Sequence, residues 1–373
     1  MTESSKKQQL YEAIRANPFI SQQELANQLG LSRSAVAGYI AGLIRERRLL
    51  GRAYVLPDHR PVVCVGAANL DRKLRSTGAL SLRTSNPASQ SESFGGVARN
   101  IAENLARLGT TVALLTAIGA DTAGSTLLAH AEDLGIDVRS ALRLPGCCSG
   151  TYTAVLDRDG EMVVALADMA LYDRLAPDFI DARQAQLAGA ALVVADLNLP
   201  QDTVAALAQQ ARRAATPLVL VAVSEPKMAR LPADLAGVRL LILNAGELAA
   251  RVARPLPDDD AIVHAMREVQ AQGARDLVVT RGARGVLVTA GGAIVDLPAP
   301  PVDVVDVTGA GDAFAAAVCW SLVQDDSAHD LVLACRRGLH LSALTLGVPE
   351  TVHPGLGPDS LAAAIEHPPL SQD

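Results

Sequence analysis

No apolar stretch in this 373-residue chain reaches the roughly 18 uninterrupted residues that a membrane span requires. The opening MTESSKKQQL is polar and lacks the apolar core of a signal peptide. Both absences predict a cytoplasmic protein with no membrane partner. Cysteine is scarce as well. There are five, with no CxxC pair and no Cys/His cluster, so neither a zinc site nor a disulfide framework is expected. Cys147 and Cys148 are adjacent, and Cys64, Cys319 and Cys335 are scattered in apolar runs, so small buried hydrophobes are expected. No internal repeat or low-complexity segment is present.

The length is enough for a large α/β core plus an appendage. The net charge of −7 is uneven. Residues 1–60 hold nine Lys/Arg against five Asp/Glu, so a basic N-terminal module precedes an acidic body. That module reads as three helices and a hairpin. Lys6–Arg15 carries Leu10, Ala13 and Ile14, and Pro18 ends it. Ser21 and Glu24 have capping-box spacing before Leu25, Ala26 and Leu29. Gly30 turns the chain, and Ser32 can cap a helix with Val36, Ile40, Leu43 and Ile44 inward. Residues 49–56 read as a short β-wing.

This is helix-turn-helix organisation, and SQQELANQLGLSRSAVAGYI resembles the core of bacterial winged helix-turn-helix domains. The resemblance implies double-stranded DNA as a partner, with Arg33, Ser34, Arg47, Arg48 and Arg52 as candidate contacts. A small helical bundle used for dimerisation or docking is the alternative. The expected division is residues 1–57 for this domain, 58–61 for a linker and 62–365 for the body.

From Pro61 onward, short β-rich runs alternate with helical ones. Strands are expected at 62–65, 112–117, 191–195, 218–223, 240–243, 277–280 and 285–288. Helices are expected at 98–108, 125–134, 201–214, 259–272, 313–322 and 330–345. Such alternation implies βαβ units and a mainly parallel sheet flanked by helices. Residues 151–156 and 162–167 instead read as a β-hairpin, and the polar stretch 76–93 leaves room for strands outside the main sheet.

The segment Asp306–Phe314, DVTGAGDAF, carries the chemistry. Glycines permit close backbone approach, and a helix opening after them directs free N–H groups and a positive dipole end at the loop. Gly309, Ala310 and Gly311 can form an anion hole with Asp312 at its edge. An acid beside such a hole suits phosphoryl transfer: the amides stabilise the moving phosphate and the acid takes the attacking hydroxyl's proton. A capping role for Asp312 is the plain alternative.

Upstream, GGVARNIAENLARLG opens another helix. With DVTGAGDAF it resembles the two signatures of the ribokinase-like (PfkB) carbohydrate and nucleoside kinases. Gly66–Asp71, Leu114–Asp137, Asn244–Glu247 and Thr280–Gly285 match further family segments in order. The resemblance implies a ribokinase-like α/β fold with a small β lid, made by the 151–167 hairpin. It implies Mg2+ and ATP as cofactors, Asp312 as base and Gly309, Ala310 and Gly311 as the γ-phosphate site. It places Asn244, Glu247, Thr280, Gly282 and Gly285 by the nucleotide, with Glu247 in the magnesium environment. Asp306 and Thr308 match positions that hold a monovalent cation such as K+ in several relatives. Asn69, Asp71, Gly95, Gly96 and Asn100 would face sugar hydroxyls, with Thr153 and Asp168 near the substrate. A homodimer is implied too.

The finer resemblance is to pseudouridine kinases, through VGAANLD at 65–71, TSNP at 84–87, ADLNLP at 195–200, VSEPK at 223–227 and ADM at 167–169. The implied reaction is pseudouridine plus ATP giving pseudouridine 5′-phosphate plus ADP. Ala222 stands where relatives have an acid, and Ile242-Leu243 where the family often has Lys-Pro. Another nucleoside such as inosine, a pentose such as ribose, or a ligand-sensing regulator with a kinase-like body remain as alternatives.

Overall fold

The computed structural model describes residues 3–16, 20, 22–46, 48–49, 60–324 and 330–361. The N-terminal part holds α1 (Glu3–Ala16), α2 (Gln22–Leu29) and α3 (Arg33–Arg45). Leu10, Ile14, Leu25, Val36, Leu43 and Leu49 are fully enclosed in one core, so i, i+4 apolar spacing defines the inward faces. Ser32 Oγ accepts the Ala35 N–H at 3.1 Å and caps α3. Ile44, expected inward, is 38% exposed, because Leu43 takes the core position and the next residue lies about 100° further round the helix. Ser21 and residues 50–59 lie outside the described residues, and with them the expected cap and most of the wing. Arg60, expected in the linker, donates to the Gly189 and Ala190 carbonyls, and Pro61 O accepts the Ala191 N–H at 2.9 Å. Both are therefore tied to the α/β body.

The body begins with β1 (Val62–Val65), β2 (Asn69–Ser76), β3 (Ala88–Gly95), α4 (Val97–Arg107), β4 (Val112–Leu115), β5 (Ala117–Gly119), α5 (Thr122–Asp133) and β6 (Leu142–Leu144). It continues with β7 (Thr151–Leu156), β8 (Met162–Asp168), α6 (Pro177–Asp181), α7 (Gln184–Gly189), β9 (Leu192–Asp196), α8 (Gln201–Ala214) and β10 (Leu218–Val221). It ends with β11 (Leu240–Asn244), α9 (Ala245–Val252), α10 (Asp259–Gln270), β12 (Asp276–Thr280), β13 (Val286–Ala290), β14 (Ala293–Leu297), α11 (Ala310–Val323) and α12 (Leu331–Leu346).

Eight strands form one sheet in the order β14-β13-β12-β11-β10-β9-β1-β4. It is parallel from β4 to β12, and β13 and β14 run antiparallel at one edge. VVCV, VALL and LVLV are buried at every position because helices cover both faces. Strand order reverses at β1, which lies between β9 and β4, so a ligand crevice is due at the carboxyl ends of β1 and β9. A second sheet, β3-β2-β7-β8, stands apart from the first.

The expected strand at 112–117 breaks at Thr116, whose carbonyl accepts the Leu142 N–H, so β5 leaves the main sheet to pair with β6. The polar stretch 76–93 contributes the end of β2 and most of β3, whose residues 88–93 are all exposed. Of the cysteines, Cys64, Cys319 and Cys335 are buried as expected, whereas Cys148 is exposed and Cys147 half-buried on a loop.

Candidate active site

Helix α11 packs on α4 and touches β9, and its first turn is bonded to α4. Gly309 precedes the helix in the left-handed region, at φ +82°, and a Cβ there would sit 2.0 Å from the Thr351 carbonyl oxygen. Ala310 and Gly311 open the helix, and the first intrahelical bond runs from the Ala313 N–H to Gly309 O at 2.8 Å. The N–H groups ahead of it have no partner within the helix and face the loop. Asp312 does not cap its helix. Its Oδ2 accepts from Asn100 Nδ2 at 2.7 Å, across 212 residues of sequence. Asn100 is no cap either. It lies inside α4, is buried, and accepts from Arg99 on its amide oxygen at 2.7 Å.

Asn69 and Asp71 share one face of β2, and Asn69 Nδ2 donates to Asp71 Oδ1 at 2.6 Å. The space a side chain would need at Gly95 is filled by the Asp71 carboxylate, and at Gly96 by the Ala67 carbonyl. These paired glycines thus seat the Asp71 carboxylate and the start of α4.

Burial raises both carboxylates. Asp312 is pushed up to about 7, with Asp196 and Asp71 adding to burial and the Asn100 hydrogen bond and Arg99 opposing it. Asp71 is pushed up to about 6, against the Asn69 bond and the charges of Arg99 and Lys73. A base that titrates near neutrality suits proton abstraction. A raised value means that the proton is held to higher pH. Turnover is therefore expected to rise with pH through about 7 and then level off. Below about 6 the acid limb should steepen as Asp71 also protonates. A kcat/KM profile between pH 5 and 9 checks this, and a flat profile would remove both groups from the rate.

Four residues here were not singled out from sequence. Asp196 is almost wholly buried at the end of β9, and its carboxylate accepts from the Ala67, Ala98 and Asn198 N–H groups at 2.9, 2.9 and 2.8 Å. It thereby ties β1, α4 and β9 together behind Asp312. Arg99 donates to Phe94 O and Asn100 and pairs with Glu103. Tyr172 brackets Ala68, donating to its carbonyl at 2.6 Å and accepting from its N–H. Lys73, two residues beyond Asp71 on the same face, places its ammonium 2.7 Å from Asp306. Asp306 also accepts from the Thr308 N–H and hydroxyl at 2.8 and 2.6 Å. Burial alone would raise Asp306, but the Lys73 and Thr308 bonds outweigh it and hold the group at about 2.

The structure does not bring Thr153 and Asp168 onto the Asp71 face. Register sets Thr153 beside Arg72, and sets Asp168 beside Thr151 and so beside Leu70. These positions alternate with Asp71, whose neighbours are Tyr152 and Ser93.

A cavity of about 650 Å3 lies on the far side of the Gly309–Gly311 turn. Thr280, Gly282 and Gly285 line it together with Ala310 and Gly311. Asn244 stands next to Thr280 in register. Asn244 and Glu247 close a capping box on α9, with the Asn244 side chain on the Glu247 N–H at 2.8 Å and Glu247 Oε2 on the Asn244 N–H at 2.7 Å. Burial raises Glu247, which keeps one carboxylate oxygen outside the box, and Glu225 adds to the shift. Among the described residues no cluster of three or more His, Cys, Asp and Glu could cage a metal. What these residues offer a hard cation is the Glu247 carboxylate oxygen left outside the box, and such a cation takes one or two carboxylates and keeps its waters.

Residues 60–356 match the model of the pfkB family of carbohydrate kinases. The chain belongs to that family. It is a sugar or nucleoside kinase with a ribokinase-like fold, and residues 4–46 match the winged helix-turn-helix DNA-binding model. The sugar kinase YeiI of Escherichia coli K12, described as uncharacterized, is 32% identical over 88% of this chain and 90% of its own. The pseudouridine kinase of the same organism is 32% identical over 69% of this chain and 83% of its own. Arabidopsis thaliana ribokinase, solved with ribose and ATP, superposes with a TM-score of 0.72 at 20% identity, over 83% of this chain and 99% of that one. This pfkB kinase has no helix, among the described residues, that is long and apolar enough to cross a membrane.

In the helix-turn-helix part, Arg33 and Ser34 are exposed at the start of α3, as is Gly38. Ser34 shares a 3.0 Å hydrogen bond with the Ser32 hydroxyl. Arg48 is directed to α1 instead: its guanidinium lies 4.0 Å over the Tyr11 ring and donates to Gln8 at 2.9 Å. Arg47 and Arg52 lie outside the described residues.

Proposed function

We propose that this pfkB kinase transfers the γ-phosphate of ATP to the 5′-hydroxyl of pseudouridine, giving pseudouridine 5′-phosphate and ADP. The observation that carries the transfer is the Asp312 carboxylate, held by Asn100 at the N-terminus of α11 and raised to about 7. Its free oxygen takes the hydroxyl proton while the substrate oxygen bonds to the γ-phosphorus. The β,γ-bridging bond breaks toward ADP, and Asp312 later returns the proton to solvent. The N–H groups of the Gly309–Gly311 turn receive the charge on the moving phosphoryl group.

Asn69, Asp71, Asn100 and the Gly95–Gly96 backbone hold the ribose. Thr280, Gly282, Gly285, Asn244 and Glu247 surround the nucleotide. Bound with ATP, Mg2+ would neutralise phosphate charge, and Glu247 would be the carboxylate that meets its water shell. Pseudouridine is favoured by the 32% identity to a pseudouridine kinase together with the VGAANLD and ADLNLP segments. ADP release with pseudouridine, uridine, inosine, ribose and fructose tests the choice. Turnover on inosine or ribose in place of pseudouridine keeps the kinase and discards the substrate.

A monovalent cation beside Asp306 and Thr308 belongs to the same reading, with Lys73 already supplying positive charge there. Lys73→Met is expected to lower kcat/KM no more than about fivefold, as for a partly exposed ion pair, and to sharpen the dependence on K+. Rates against KCl at constant ionic strength read this, and two flat curves would remove the cation.

The N-terminal domain is proposed to bind double-stranded DNA through Arg33 and Ser34, with Arg47 and Arg52 from the segments outside the described residues. Operator binding that weakens as salt rises is the expected sign. Met162, Val163, Val164 and Leu166 of the β8 edge are exposed, which supports a homodimer closed over this strand. The site of action proposed is the cytoplasm.

A further inference from the structure

The cavity next to Gly311 has an unusual lining for a site that must recognise a heteroaromatic base. We infer that it accepts purine nucleoside triphosphates with little regard to the base, so that GTP and ITP serve as phosphoryl donors alongside ATP. The inference rests on the reading that this cavity takes the donor nucleotide.

Of the side chains that line the cavity, the only polar ones among the described residues are the hydroxyls of Thr280 and Ser342. No carboxylate, amide, imidazole, guanidinium or ammonium group is among them. Adenine presents an amino donor where guanine and hypoxanthine present a carbonyl acceptor. A hydroxyl rotates to accept from the first or donate to the second, so neither Thr280 nor Ser342 separates them. Main-chain N–H groups could separate them, but the wall at Pro300-Pro301 has none to offer. Apart from main-chain groups such as those of Val302 and Val304, the lining offers apolar contact from residues such as Val302, Val307, Leu339 and Leu346, which grips the flat area that all purines share. Apolar walls discriminate about 10- to 200-fold at best, whereas rejection of about 10⁴-fold or more needs buried polar groups that the wrong ligand leaves unpaired.

The test uses the full-length protein with Mg2+, a saturating acceptor, and ATP, GTP or ITP as donor. In parallel, ADP and GDP compete for a bound fluorescent trinitrophenyl-ATP. The expected result is kcat/KM values within about tenfold of one another and comparable displacement by the two diphosphates. A preference for ATP above about a hundredfold, with ADP alone displacing the probe, overturns the base tolerance and leaves the cavity as the nucleotide site. Failure of both diphosphates to displace the probe removes the nucleotide from this cavity, and the inference falls with that reading.

Discussion

Asp312→Asn is expected to lower kcat by between about a hundredfold and ten-thousandfold while nucleoside binding stays within about threefold of wild type. The substitution is isosteric. The introduced amide oxygen can still accept from Asn100 Nδ2, which lies 2.7 Å from the Asp312 carboxylate, so the local geometry has a way to persist. What is lost is the capacity to take a proton. Single-turnover rates and calorimetric titration with nucleoside separate the two effects, and turnover at near wild-type rate would sink the assignment of the base. Stability supplies an independent check. Because the carboxyl is raised to about 7 in the fold, the native state holds its proton more tightly than the unfolded chain does. Stability is then lost as pH rises toward 7, and above that the fold carries an ionised group in a poor environment. The amide variant escapes this cost. Its Tm should equal or exceed that of wild type at pH 8, with the difference shrinking toward pH 5. A variant that is inactive and clearly less stable at pH 8 would point to damage rather than lost chemistry.

The half of this site proposed to be catalytic was legible because it is contiguous. Gly309, Ala310, Gly311 and Asp312 announce themselves within four residues, and helix physics assigns them a task. Its partners were not legible as partners. Asn100 could be named as a site residue, but its bond to Asp312 spans 212 residues, and nothing in either segment states that distance. Asp196 was visible only as part of a motif. Its work is to collect three backbone N–H groups from separate elements, and that requires the fold. Lys73 reads as a solvated charge on a polar strand until β2 is laid beside the 306–309 loop.

The main sheet was legible for the opposite reason. VVCV, LVLV and LLILN are apolar because both faces are covered, so composition alone marks them. The small sheet lacks that signal. ASQSESFG has neither an apolar run nor a clean alternation, and pairing with β2 rather than burial makes it a strand. The same lack of a register signal explains Thr153 and Asp168. A shift of one residue moves a side chain to the other face, and only the pairing with β2 fixes the parity.

Gly309→Ala is expected to reduce kcat about a hundredfold or more, which is the scale seen when one aligned oxyanion donor is lost. Two independent effects act at this position. An L-residue at φ +82° is strained by about 1–2 kcal/mol, and its Cβ would lie 2.0 Å from the Thr351 carbonyl oxygen and 2.8 Å from its methyl. Since the neighbour at closest approach is backbone, the loop has to move, and the N–H groups at the start of α11 move with it. Asn69, Asp71 and Asn100 sit on β2 and α4, so the KM for the nucleoside should change little. Gly311→Ala separates this effect from crowding by the ligand. Nothing in the protein lies within 4 Å of a Cβ at Gly311, and the residue is already helical, so the fold should tolerate it. A Gly311→Ala protein that melts like wild type yet loses turnover places the phosphates against that helix turn. Full activity in Gly309→Ala would show that the left-handed turn is not what aligns the donors, and would move the anion hole away from the start of α11.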